Sequence, residues 1–154
     1  MLPPMKLASI LALMACACGA SEAPPKDPQT VDASPAAPTV RDRASLLEAL
    51  RAEGARVEEG AEVEQRFFSV KGKIVKLNGV DVQVYEYSDE RAAAGEAKKV
   101  APDASQVGTL SVGWAPEAPP HFYTKGRVIV LYTGSDSVVT DPLERTLGPQ
   151  FAGK

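Results

Sequence analysis

The chain has 154 residues, 44% hydrophobic and 24% charged, with 20 acidic against 17 basic side chains and a formal net charge of −3. That length supports one domain rather than two. Two cysteines are too few for a disulfide-stapled scaffold, and the acidic balance excludes a polybasic nucleic-acid binder.

Met1 to Lys6 carry a single charge, Lys6, and Leu7 to Ala15 (LASILALMA) follow as nine uncharged, mostly apolar residues. A nine-residue helix reaches about 14 Å, less than half of the roughly 30 Å of hydrocarbon in a bilayer, so the run reads as the core of a secretory signal rather than a span. It closes on Leu13-Met14-Ala15-Cys16, with leucine three positions before a cysteine and a small residue directly before it. This resembles the lipobox of bacterial lipoproteins. The resemblance implies a diacylglyceryl group on the Cys16 thiol, cleavage before Cys16 and acylation of the new amine. Two or more acyl chains anchor a protein stably where one binds only marginally. Cys18 offers a second register but lacks a large aliphatic residue three positions back, so Cys16 is the expected lipidation site. Ala17 is not the aspartate that retains lipoproteins of this kind at the inner membrane, which implies outer-membrane attachment if the host has one.

Gly19 to Val40 holds Pro24, Pro25, Pro28, Pro35 and Pro38, no aromatic residue, and only Val31 and Val40 as large apolar side chains. Such a segment buries too little to order itself and reads as a semi-extended tether. The expected organisation is a signal over 1–15, a lipidated cysteine and tether over 16–40, and a globular domain over 41–154. That domain is nearly neutral and large enough to bury a core without disulfides or a metal.

A first helix is expected from Asp42 to Glu53, with Leu46, Leu47 and Leu50 on one face, Ser45 and Glu48 as a capping box and Gly54 as its stop. Arg56 to Val63 reads as an edge strand with a turn at Gly60, and Phe67 to Val70 as the entry to the sheet. Asn78-Gly79 between alternating runs demands a two-residue hairpin turn. Its register places Leu77 opposite Val80, Val75 opposite Val82 and Lys73 opposite Val84 on one face. Lys76 then meets Asp81, Ile74 meets Gln83 and Gly72 lies under Tyr85 on the other, with Lys71 opposite Glu86.

Ser88 to Val100 reads as a second helix, with Asp89 and Glu90 at its start, Lys98 and Lys99 at its end, and a small buried stripe of Ala93, Ala97 and Val100. Leu110, Val112 and Trp114 alternate as a strand. After a loop carrying Pro116, Pro119 and Pro120, His121 to Thr124 is expected to pair with Arg127 to Thr133 across Lys125-Gly126. Val128 to Tyr132 is apolar on both parities and belongs at the centre of a sheet covered on both sides. Asp141-Pro142-Leu143-Glu144 predicts the start of a closing helix, stopped at Gly148-Pro149. The order of elements gives an α+β fold: a single domain, mainly antiparallel sheet, packed with two to three helices. The span from Leu46 to Phe151 resembles small bacterial envelope lipoproteins, on GVDVQVYEYSDERAAA at 79–94 and PHFYTKGRVIVLYTG at 120–134. That resemblance implies the address and the domain limits and brings no site residues with it.

Chemistry is sparse in this sequence. His121 is the only histidine, which removes multi-histidine metal centres and makes any triad depend on it. Past Cys18 there is no cysteine, so thiol catalysis and Cys-bound zinc are excluded there. Ser135-Asp136-Ser137 suits turn chemistry, and Glu58, Glu59, Glu62 and Glu64 lack the alternating loop that wraps calcium. No cofactor, metal or catalytic residue is expected. A candidate pocket is assigned to Trp114, His121, Phe122 and Tyr123, where prolines hold aromatic residues at the end of the sheet. The expected function is a lipid-anchored, extracytoplasmic, non-catalytic binding or interaction domain. Its partners would be the membrane, through the lipid, and an envelope protein or small ligand, with no nucleic acid. The alternatives are a small envelope hydrolase using His121, or an inhibitor or structural protein of an envelope complex.

Overall fold

The computed structural model describes residues 38–153; the expected signal, Cys16 and most of the expected tether lie outside the described residues. The first helix, α1 (Arg43–Ala52), is capped by Asp42, whose side chain accepts from the Ser45 amide at 2.9 Å. The Ser45 hydroxyl in turn accepts from the Asp42 amide at 3.0 Å. The capping box is therefore Asp42–Ser45, three residues upstream of the expected Ser45–Glu48 pair, because aspartate caps as well as serine and Ser45 already lies within the first turn. The Ser45 amide, then its hydroxyl, hold the Asp42 carboxyl below the usual carboxylate range, helped by Arg127 and Arg41. Gly54 ends the helix as expected, at φ +84°. Its amide bonds Arg51 O and that of Ala55 bonds Leu50 O, the paired bonds of a Schellman stop.

Strands β1 (Val57–Val63), β2 (Gly72–Leu77), β3 (Val80–Glu86), β6 (Pro120–Lys125), β7 (Val128–Thr133) and β8 (Ala152–Gly153) form one antiparallel sheet in the order β1-β2-β3-β7-β6-β8. The β2–β3 hairpin has all six predicted pairs from Leu77↔Val80 to Gly72↔Tyr85. Asn78 and Gly79 sit at φ +53° and +88°, the left-handed pair that such a turn needs. A Cβ on Gly72 would come within 2.7 Å of the Tyr85 ring, so the tyrosine covers that bare backbone. The extra pair does not form: Lys71 meets Glu64 at 3.6 Å, and Glu86 takes Arg127 Nη2 at 2.7 Å.

Four expectations about strands and turns are corrected. Gly60 is no turn: β1 runs through it with a bulge between Glu59 and Glu62, and a Cβ there would stand 3.2 Å from Ile74 O. Phe67 to Val70 is a loop that caps the sheet rather than a strand within it. Leu110 to Trp114 does not join the sheet either. Its first two residues, β5 (Leu110–Ser111), pair only with β4 (Gln106–Val107), because Gly108 at φ +62° folds the two together. The β6–β7 turn falls at Gly126-Arg127 rather than Lys125-Gly126, since Lys125 pairs with Val128 and the left-handed Gly126, at φ +56°, leads the two-residue loop.

The second helix, α2 (Glu90–Ala97), starts on Asp89, which accepts from the Ala92 amide at 2.8 Å. Lys98 and Lys99 fall past its end. The third, α3 (Ser137–Leu147), begins five residues before the expected start, capped by Asp136, and ends at Gly148 as expected. Pro142 thus sits inside the helix rather than at its first position. A proline there leaves the carbonyl four residues back without its amide. That carbonyl is Val138 O, and the Asn78 side-chain amide donates to it at 2.7 Å.

The sheet divides two cores. On one face α1 and α3 cover Val75, Leu77, Val82, Val84, Tyr123, Val128, Val130 and Tyr132. On the other, α2 and the 100–114 segment cover Tyr85, Tyr87, Phe122, Ile129 and Leu131. Residues 128 to 132 of β7 are all buried, as the doubly apolar run requires. The whole is α+β, as expected.

Candidate functional site

Alternation along β6 decides where the candidate residues go, since neighbouring side chains on a strand point to opposite faces. Tyr123 is fully buried beneath α1 and α3. His121 shares that side, stacked on Tyr132 with ring centroids 5.8 Å apart. Phe122 points the other way and meets Trp114 edge to face at 5.9 Å. The four residues of the candidate pocket therefore do not converge on one cavity. Trp114 among them lines a hollow.

His121 is held as a structural pin. One ring nitrogen, Nδ1, bonds Gln150 Oε1 at 2.5 Å and the other, Nε2, bonds Gly134 O at 2.8 Å, tying the start of β6 to the segments on either side of α3. Among the described residues, neither nitrogen meets a serine hydroxyl or a carboxylate: one meets a side-chain amide oxygen and the other a backbone carbonyl. Asp136, in the Ser135–Ser137 stretch, uses its carboxylate to accept the Val138 amide at 3.1 Å and so caps α3. Glu59 and Glu64 carry ion pairs with Arg43 and Lys71 at 3.7 and 3.6 Å.

The hollow beside Trp114 has a volume of about 390 Å³ and is lined by Asp103, Ser105, Val112, Trp114, Ala115, Pro116, Pro119 and Pro120. That is the size of a small-molecule site. Its walls are held from below. Asp103 Oδ1 accepts from the Ser105 amide at 3.1 Å and its hydroxyl at 2.8 Å, an Asx-type turn. The turn carries Ala104 at φ +57°, a left-handed conformation that costs an alanine on the order of 1 kcal/mol. In that pose the Ala104 carbonyl accepts the Trp114 indole N–H at 2.7 Å. Phe67, 6.3 Å away at 69°, and Phe122 hold the indole from two further directions. On the proline side, Ala118 bonds back to Ala115 O and Gly134 to Pro119 O, at 3.0 and 2.9 Å. The indole is thus fixed before any ligand arrives, which lowers the ordering cost of binding.

Val112 also lines a second hollow of about 500 Å³ formed by residues 64–67 and 110–113, where Leu110 is 44% exposed. The proline-held aromatic wall was visible in the sequence as Trp114 and the loop to Pro120. Asp103 and Ser105 were missed, although Asp-x-Ser after Pro102 is the pattern of an Asx turn and could have marked them. No family model, curated protein or solved structure matches the chain.

Proposed function

We propose that the chain is a lipid-anchored lipoprotein of the cell envelope, facing away from the cytoplasm, whose α+β domain binds a ligand in the Trp114 hollow and does not transform it. The observation that carries the binding half is the pre-set indole: its N–H is tied to Ala104 O, its ring is flanked by Phe67 and Phe122, and it still lines a hollow of about 390 Å³. His121 supports the non-catalytic half, because both of its ring nitrogens are taken up by Gln150 and the Gly134 carbonyl. The anchoring half rests on Leu13-Met14-Ala15-Cys16 after an apolar run too short to span a bilayer.

Mass spectrometry of the mature N-terminus tests the anchor. The expected product begins at Cys16 and carries acyl mass, and Cys16→Ser moves the protein from the detergent phase to the aqueous phase. A free amine at a residue beyond Cys18, with no acyl mass, overturns the proposal.

A further inference from the structure

The second hollow, of about 500 Å³, lies between residues 64–67 and 110–113, so β5 supplies part of its wall. The hydrogen bonding around β5 leaves one edge of that strand open. The Val112 amide donates to Ser105 O at 2.9 Å, which makes those two residues a hydrogen-bonded pair of the antiparallel ladder. Such pairs alternate with pairs whose amides and carbonyls point away from the partner strand, and the next pair along is Gln106↔Ser111. Gln106 fits the alternation, since its carbonyl turns outward and accepts the Ala101 amide at 2.8 Å. The outer side of β4 is thus covered by residues 99–101, while the amide and carbonyl of Ser111 have no backbone partner among the described residues.

The other sheet edges are guarded. β1, at one end of the six-stranded sheet, carries exposed Glu58, Glu59 and Glu62 and a bulge between Glu59 and Glu62. β8, at the other end, has two residues, and the Gly153 amide goes to Pro102 O at 2.9 Å. Charges, bulges and brevity keep a sheet edge from pairing with other chains. β5 is also short, yet its open edge carries no charge and no bulge, and Leu110 is 44% exposed. Phe67 and Val112, half-buried, line the same hollow. Of the charged residues there, Glu64 has Lys71 at 3.6 Å, whereas Arg66 is exposed and in no ion pair among the described residues. A guanidinium presents paired donors that match a carboxylate. A second copy docking through the same patch would bring another Arg66 and no unpaired acid to meet it.

We propose that this groove docks an extended, acidic segment of a partner protein, added as a strand beside β5, with an apolar side chain against Leu110, Val112 and Phe67 and a carboxylate side chain on Arg66. The site adjoins the Trp114 hollow and does not depend on what that hollow binds.

The test titrates the full chain into the fluorescein-labelled, C-terminally amidated peptide Asp-Thr-Leu-Thr-Val and follows its anisotropy. In a strand its Asp, Leu and Val share one face. Saturable binding is expected, weakened about tenfold by Arg66→Glu and severalfold by Leu110→Ser, both at exposed positions. The peptide Lys-Thr-Leu-Thr-Val should bind at least about tenfold more weakly. Silence from the acidic peptide, equal binding of the lysine peptide, or binding that survives Arg66→Glu overturns the proposal. Binding undiminished when the peptide amides are N-methylated overturns strand addition. A dimer of the chain that is lost in Leu110→Ser assigns the groove to a second copy and overturns the partner segment as its occupant.

Discussion

Asn78 joins three segments of chain through one side chain. It adopts the left-handed conformation of the β2–β3 turn, accepts the Arg56 amide on Oδ1 at 2.9 Å, and donates from Nδ2 to Val138 O at 2.7 Å. Glycine would keep the turn but lose both side-chain bonds, each worth about 1 kcal/mol net. Asn78→Gly is therefore expected to cost about 1–2 kcal/mol in urea denaturation. The Val138 bond exists because Pro142 has no amide to offer, so Pro142→Ala supplies the missing donor from within the helix. In a double-mutant cycle Asn78→Gly should cost less on the Pro142→Ala background than on the native one. Full additivity would show that the Asn78–Val138 contact does not compensate the proline.

At the scale of elements, α3 shows how two capping signals in one stretch compete. Asp136 and Asp141 both precede helix-compatible residues, and Pro142 after Asp141 imitates the first position of a helix. The earlier cap prevails because it adds Val139 to the buried face that already carries Leu143 and Leu147, and because Asn78 satisfies the carbonyl that the proline orphans. Asp136→Ala should then destabilise by about 0.5–2 kcal/mol, while Asp141→Ala, on the exposed side of an interior turn, should stay within about 0.5 kcal/mol. Thermal melts of the two variants check this. The reverse order would place the start of the helix at Asp141. Leu110 to Trp114 likewise alternates as a strand does, yet only Leu110 and Ser111 pair, and Val112 and Trp114 line the hollow instead.

For the whole molecule, the two cores are closed by tyrosines whose hydroxyls lie deep. Burial, followed by the charges of Glu144 and Tyr132, pushes the Tyr123 phenol up to about 12. Burial alone raises Tyr85, and burial with Glu96 and Tyr85 raises Tyr87. An unfolded tyrosine ionises near pH 10. Each folded value is raised above the unfolded one, so the associated stability is fully present below about pH 10 and is lost as the pH climbs towards the folded values. Stability from urea denaturation should be insensitive to these groups up to about pH 10 and fall above it, with the buried phenolates appearing together with loss of the native circular dichroism. Titration of all three near pH 10 with native circular dichroism intact would contradict it.

Local chemistry was enough to write much of this protein from its residues alone. The β2–β3 register, the helix stops at Gly54 and Gly148, the central position of β7 and the α+β class follow from turn residues and apolar parity, which act over a few neighbouring positions. Tertiary structure decided the rest: which aspartate starts α3, that Phe67–Val70 and Leu110–Trp114 leave the sheet, and that His121 and Tyr123 turn away from Trp114. Strand alternation already separates Phe122 from its neighbours, but only the packed fold brings Asp103 and Ser105, about ten residues upstream, against the indole. A hollow is made by segments distant in sequence, and no spacing within one segment encodes where they meet.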